Sequence, residues 1–193
     1  MSKLIFLLVT ISFFSCTKNT ITKELQELKK YSISIPSDIM VINNGQLISS
    51  FIHDTLYAKL IIYYDSTECS SCHIAHLNDW NEIIQISHQY NKFRPIFIFS
   101  PSKSKISDVL NAIEKFPFNY PILLDFENKF YKKNTFIPNN LNYHTFLLNK
   151  NNQIILVGNP LYNSQLWNLY QKTIHILIDN NGVIPKHALL YNK

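Results

Sequence analysis

The chain has 193 residues, a length that fits one domain with short accessory segments. Hydrophobic residues make up 46% of the chain and charged residues 16%, which is ample for a packed core. The net charge of +5 is spread thinly along the chain, and no basic block is dense enough to indicate nucleic-acid binding.

The N-terminus has the pattern of an export signal. Lys3 precedes an apolar stretch, Leu4 to Phe14, which is shorter than the ~20 residues that span a bilayer. Its ending, Phe13-Phe14-Ser15-Cys16, resembles a bacterial lipobox, in which a small residue precedes the cysteine that receives lipid. This predicts cleavage after residue 15 and acylation of Cys16, for example with palmitate, by more than one chain for stable anchoring. The alternative is an ordinary signal peptide that is cut elsewhere, with Cys16 incidental.

This pattern predicts a location as well as a domain division. The protein would be lipid-anchored in a bacterial cell envelope, facing the periplasm or the exterior. We expect a signal peptide in residues 1–15, a lipidated tether with a short charged helix in 16–37, a folded domain in 38–178 and a C-terminal tail in 179–193.

The first half of the folded domain begins with a predicted β-hairpin. Two β-like runs, Ile39–Ile42 and Gln46–Ile52, flank Asn43-Asn44-Gly45, and Asn-Gly between such runs is a strong hairpin signal. Leu60–Tyr64 predicts a strand buried on both faces, and a helix follows over about 72–89 with Leu77, Trp80 and Ile84 on one side.

The second half of the domain also alternates predicted strands with predicted helices. Ile96–Phe99 predicts a buried strand, and the apolar spacing from Ile106 to Phe116 predicts a helix that Pro117 ends. A third strand is expected in 121–125, and 126–135 fits helix or loop. Pro138 to Asn142 is a loop, and a hairpin with its turn at 149–152 and a helix over 164–178 complete the domain. The order predicts an α/β fold with a mixed central sheet, helices on both faces and an N-terminal hairpin extension.

Two cysteines lie where thiols do redox chemistry. Cys69-Ser70-Ser71-Cys72 follows the strand at 60–64 and opens the next helix. The reactive form of cysteine is the thiolate, and the unpaired N–H groups and positive dipole at a helix N-terminus favour it.

From about Leu56 to Ile178 the chain resembles the thioredoxin fold, and in particular the membrane-anchored, extracytoplasmic thiol–disulfide oxidoreductases of the TlpA-like and redoxin kind. The resemblance rests on Asp65-Ser66-Thr67-Glu68-Cys69-Ser70-Ser71-Cys72 and on the run from Thr145 to Ile154, which is similar to the family's Thr-Phe-Leu hairpin. It implies disulfide exchange with exported proteins that carry disulfides or dithiols, and a membrane electron donor or acceptor.

The expected roles follow from thiol chemistry. Cys69 would be the exposed nucleophile, and Cys72 would attack the mixed disulfide and release product. Near-site residues are expected at Glu68, Ser70, Ser71, His73, Tyr143 and His144.

The chain departs from the family at two of its usual positions. Tyr143, followed by His144, stands where the family commonly has a cis-proline before the Thr-Phe-Leu strand, and Tyr63 stands where it commonly has a buried acid. Glu68, if it lies close to the thiols, would oppose thiolate formation.

Other functions remain open at this point. A non-catalytic binding or scaffold protein could use the pair as a structural disulfide, although a bridge across two residues removes little chain entropy. Cys69-Ser70-Ser71-Cys72-His73 matches the attachment motif of c-type haem, with Met40 as the available axial methionine. Zinc or copper could be held by Cys69 and Cys72 with His144, or with His73 and His76. We expect no cofactor.

Overall fold

A seven-stranded mixed sheet runs through the part of the chain that the computed structural model describes, residues 23–48 and 56–185. Its strands in chain order are β1 (Met40–Asn43), β2 (Gln46–Ile48), β3 (Ala58–Tyr64), β4 (Phe93–Phe99), β5 (Ile122–Leu124), β6 (Thr145–Asn149) and β7 (Ile154–Val157). They lie side by side in the order β2-β1-β5-β4-β3-β6-β7. Strands β3, β4 and β5 are parallel, and the remaining neighbours pair antiparallel. The predicted mixed α/β sheet is confirmed.

The N-terminal hairpin forms at the predicted turn. Asn44 and Gly45 both have positive φ, 49° and 75°, as a two-residue hairpin turn requires. Strand β1 pairs antiparallel with β5, so the hairpin extends one edge of the sheet. The predicted second run reached residue 52, and residues 49–55 lie outside the described part.

Six helices are described: α1 (residues 23–28), α2 (Ser70–Ala75), α3 (Asn81–Gln89), α4 (Ile106–Lys115), α5 (Lys129–Lys133) and α6 (Ser164–Asp179). Within the described ranges, no helix is both long and apolar enough to cross a membrane. The segment 126–135, which fitted helix or loop, contains α5. Its start is held by Asp125, whose carboxylate accepts hydrogen bonds from the backbone N–H groups of Lys129 (2.9 Å) and Phe130 (2.7 Å).

The single helix predicted over 72–89 is wrong. The chain leaves the helical conformation at His76 (φ −111°, ψ 13°), makes a 3₁₀ turn over Leu77–Trp80 and starts again as α3. Side chains three residues apart lie above one another in a 3₁₀ turn. Leu77 and Trp80 are therefore both directed into the core, where each is 1% exposed.

The sheet separates two apolar layers. On one side Leu60 and Ile62 of β3 pack with residues of α2, α3, α4 and α6, and on the other Ile61 and Tyr63 pack with Leu28 of α1 and Phe130 of α5. All seven residues of β3 are buried, as expected of a strand covered on both faces. The prediction of helices on both faces is confirmed.

Both ends of the described domain pack against it. Ile33, just after α1, is 2% exposed and its N–H bonds to the carbonyl of Asn152 in the second hairpin turn. After α6, Gly182 (φ 79°) donates its N–H to the carbonyl of Leu177 and accepts from Lys150. Residues 186–193 of the expected tail lie outside the described part.

Candidate functional site

The two cysteines lie at the end of the central strand. Strand β3 ends at Tyr64, a short loop follows, and Cys69 is the N-cap residue of α2. Cys72 lies in the first turn of that helix, and the two sulfurs form a disulfide. Both cysteines are exposed, so exposure does not distinguish the nucleophile from the resolving cysteine.

The loop before Cys69 is ordered by its own side chains. Asp65 Oδ1 accepts hydrogen bonds from the backbone N–H (2.7 Å) and the hydroxyl (2.6 Å) of Thr67. Such a turn is a local alternative to helix or strand, and it lets the chain change direction between β3 and α2. Ser71 lies beside the disulfide, with its Oγ 3.6 Å from Cys69 Sγ, whereas Ser70 is buried.

Glu68 joins three elements around the disulfide. Its side chain is only 11% exposed, and its Oε2 lies 3.1 Å from Nε2 of His73 in α2. Its Oε1 lies 3.7 Å from Nδ1 of His144, which directly precedes β6. Burial alone would raise the pKa of Glu68, but the interactions with His144 and His73 outweigh it and lower this pKa to about 2. The structure thus brings together Glu68, His73 and His144, all predicted as near-site residues.

A contact with a backbone carbonyl fixes the ring of His144. The residue is 3% exposed, and its Nε2 lies 2.9 Å from the carbonyl oxygen of Pro138. A carbonyl oxygen only accepts, so Nε2 carries a hydrogen, and Nδ1 has one only when the ring is protonated. Burial alone would lower the pKa of His144, but Glu68 and the Pro138 carbonyl together raise it above its ordinary value.

Aromatic rings surround the two histidines. Tyr64 stacks on His73 (ring centroids 4.1 Å apart, planes at 22°) and on Phe99 (4.7 Å). Tyr63 packs against His144, and its hydroxyl donates to Asn128 Oδ1 at 3.2 Å. Burial raises the pKa of Tyr63, so it is a neutral phenol at physiological pH.

Tyr143 lies apart from the cleft beside the disulfide. Its hydroxyl donates a hydrogen bond to Glu24 Oε2 (3.0 Å) in α1. The residue therefore ties the N-terminal helix to the segment before β6. Its neighbour His144 is the side chain that faces the loop before Cys69.

A cleft of about 250 Å³ opens next to the disulfide loop. Tyr64, Glu68, His73 and His144 form one wall, and Leu161 and Tyr162, from the loop between β7 and α6, form another. Sequence reasoning missed the contribution of that loop. Its only local signal, the turn-forming Gly158-Asn159-Pro160, marks a loop but does not show which surface it faces.

The ligand sets considered for metal and haem are not assembled in the described ranges. There, no group of three or more His, Cys, Asp or Glu side chains is arranged to hold a metal ion. Met40 lies on β1, which β5 and β4 separate from β3 and the cysteines. Glu68 takes the contacts of His73 and His144 instead.

Comparison with solved structures shows the same architecture. A mitochondrial 2-Cys peroxiredoxin from Plasmodium falciparum superposes with a TM-score of 0.51 at 15% identity, over 80% of this chain and 98% of its own. The fold is thioredoxin-like. At this identity the likeness shows the fold alone.

Two further structures align less closely. A thioredoxin-like protein from Porphyromonas gingivalis has a TM-score of 0.47 at 12% identity, covering 77% of this chain and 94% of its own. An exposed lipoprotein thioredoxin from Streptococcus pneumoniae has a TM-score of 0.44 at 16% identity, covering 62% and 86%. No protein-family model and no curated protein sequence matches the chain.

The lowered pKa of Glu68 predicts a pH-dependent contribution to stability. Because the folded pKa lies below the ordinary value of 4.5, the contribution is fully present above about pH 4.5 and is lost as the pH falls towards 2. The contribution of His144 has the opposite dependence on pH: it is fully present below the ordinary value of 6.5 and is lost as the pH rises through the raised pKa. We expect Glu68→Gln to lower the free energy of unfolding by on the order of 2 kcal/mol near pH 5.5, and by much less near pH 3.

Urea unfolding of both proteins at the two pH values measures this difference. Glu114→Gln, at an exposed position of α4, is the matched control and should show little effect at either pH. An equal loss of stability in Glu68→Gln at both pH values would contradict the assignment.

Proposed function

We propose that the protein exchanges disulfides with exported partner proteins through Cys69 and Cys72, and that it does so while held in the bacterial cell envelope by lipid on Cys16. The observation that supports the exchange is the exposed disulfide at the start of α2, on the loop that ends the central strand of a thioredoxin-like sheet. A buried bridge would be inaccessible to a partner thiolate, whereas both cysteines of this bridge reach solvent.

The exchange proceeds by two displacements. A partner thiolate attacks one sulfur of the disulfide, the Cys69–Cys72 bond breaks, and a mixed disulfide forms while the other cysteine leaves as a thiolate. A second thiolate of the same partner then attacks the mixed disulfide, and the partner is released with a new disulfide. Cys69 and Cys72 are left as thiols, having gained two electrons and two protons. Run in the opposite direction, the reduced pair delivers the same electrons to a partner disulfide.

The cluster around Glu68 bears directly on thiolate formation. A lone carboxylate next to Cys69 would repel a thiolate and hold its pKa up. In this site the carboxylate is engaged by His73 at 3.1 Å and His144 at 3.7 Å, which offset its negative charge when they are protonated. The helix start can then favour the thiolate of Cys69 as the sequence predicted.

Trapping the mixed disulfide tests which cysteine reacts first. In Cys72→Ser the nucleophile remains and the resolving thiol is missing, so the mixed disulfide with a partner peptide should accumulate. In Cys69→Ser it should not form. Mass spectrometry after mixing each reduced variant, made in a Cys16→Ser background, with an oxidised peptide measures the adduct. Adduct in Cys69→Ser alone would reverse the roles.

The reduction potential separates a working redox site from a structural bridge. The pair should show a reversible two-electron transition well above about −300 mV, the upper limit typical of structural disulfides. The Cys16→Ser variant is suitable, since its remaining cysteines are the pair. It is equilibrated in graded thiol–disulfide buffers, and free thiols are counted by maleimide gel shift. A pair that stays oxidised down to that limit would support the scaffold alternative.

The lipid anchor has its own test. Cys16 lies outside the described residues, and this part of the proposal rests on the N-terminal sequence. In a bacterial host, labelled palmitate should enter the protein and the protein should sediment with membranes. Cys16→Ser should abolish both, whereas Cys72→Ser should leave both intact. Label that persists in Cys16→Ser would exclude this site.

A further inference from the structure

A second cleft continues from the one beside the disulfide. It has a volume of about 430 Å³, within the range of ligand-binding pockets, and it extends to Trp167 on α6. The two clefts share Asp79, Leu161 and Tyr162. Together the two clefts form one groove that runs from the loop before Cys69 to α6. We call this combined groove the Trp167 groove.

The groove is acidic, although the chain as a whole is basic. Among the described residues that line the two clefts, the acids are Glu68, Asp79 and Glu82, none is Lys or Arg, and the remaining titratable bases are His73, His76 and His144, which are neutral at alkaline pH. The whole chain has 18 Lys and Arg against 13 Asp and Glu. The local charge is therefore opposite in sign to the net charge, which indicates complementarity to a cationic partner.

Two of the carboxylates are exposed and only partly engaged. Asp79 Oδ2 accepts from the hydroxyl of Tyr162 (3.1 Å) and lies 3.9 Å from Nδ1 of His76, and Glu82 Oε1 accepts from Trp167 Nε1 (3.0 Å) and Gln171 Nε2 (3.3 Å). Within the described ranges, no hydrogen bond reaches Asp79 Oδ1 or Glu82 Oε2. Each carboxylate thus keeps one oxygen for an incoming ammonium or guanidinium group.

The groove also has an apolar component. Trp167 and Leu161 are half-buried, Ile83 forms part of the wall, and Tyr162 at the boundary of the two clefts is 86% exposed. Exposed aromatic rings beside fixed polar groups are typical of the few residues that dominate protein–protein binding.

We propose that the Trp167 groove binds the segment of the partner protein that flanks its reacting cysteine, and that this segment carries a Lys or Arg for Asp79 and Glu82 and an apolar side chain for Trp167. The inference rests on the proposed function, since the partner cysteine must reach the Cys69–Cys72 disulfide. It adds the chemical class of the substrate. The preferred partner carries a basic, partly apolar polypeptide segment beside its cysteine, and dithiols without such a segment are poorer substrates.

Matched peptides test the charge preference. Each probe has one cysteine, one Leu, and a Lys placed two or three residues before or after the cysteine. A second set replaces that Lys with Glu. The initial rate of mixed-disulfide formation with the oxidised protein is measured for each peptide at low and high salt, and dithiothreitol serves as a reductant without side chains.

The best Lys peptide should react about tenfold faster than its Glu counterpart at low salt, and added salt should reduce this ratio. In Asp79→Asn/Glu82→Gln the ratio should fall to within about twofold, and in Glu82→Lys it should shift towards the Glu peptide. Glu114→Gln, an exposed acid of α4 outside the groove, should keep the original ratio. Each ratio is taken within one variant, so a change in overall reactivity does not affect it.

Two outcomes would overturn the inference and are distinguishable. Equal rates for Lys and Glu peptides, with normal reduction by dithiothreitol, would remove the groove proposal and leave the exchange function intact. A disulfide that reacts neither with the peptides nor with dithiothreitol would remove both.

Discussion

The site depends on the pairing of β3 with β6. The antiparallel register places Ile62 opposite Thr145, and the backbone N–H of Tyr63 donates to the carbonyl of His144 at 3.0 Å. This bond fixes His144 beside the end of β3, where the loop with Glu68 begins. Strand β3 is buried along its whole length and hydrogen-bonded to β4 on one side and β6 on the other. It therefore holds the following loop and the start of α2 in a fixed position.

A second constraint is electrostatic. A largely buried carboxylate is costly unless it is paired, and Glu68 pairs with two imidazoles from different elements when these rings are protonated. His73 is in turn stacked on Tyr64, and His144 is held by the carbonyl of Pro138, so neither ring can leave the carboxylate without losing another contact. Through this contact His144 and Glu68 give the loop before Cys69 a charged support. The charge around the disulfide therefore changes with pH, because the pKa of Glu68 is lowered and the pKa of His144 is raised by their contact.

Much of the fold was predictable because its signals are local. The apolar run at 60–64, the Asn-Gly turn and the spacing from Ile106 to Phe116 each report on neighbouring residues, and β3, the β1–β2 turn and α4 lie where these patterns placed them. The prediction of one helix over 72–89 was wrong because the apolar residues have nearly helical spacing on both sides of the break at His76. The need to bury Leu77 and Trp80 together favours a 3₁₀ turn that the apolar spacing does not reveal.

The sequence by itself determined the order of the strands and the position of Cys69 and Cys72 between a buried strand and a helix, since both follow from short-range pattern and turn chemistry. It also predicted Glu68, His73 and His144 as near-site residues, but not that one carboxylate holds both rings. Only the tertiary structure decided that contact, the exposure of Cys72 and the approach of Tyr162 to Asp79 across 83 residues of chain. The physical reason is that such contacts depend on strand register and on the angle at which α6 returns to the sheet, and these are set by packing of the whole core.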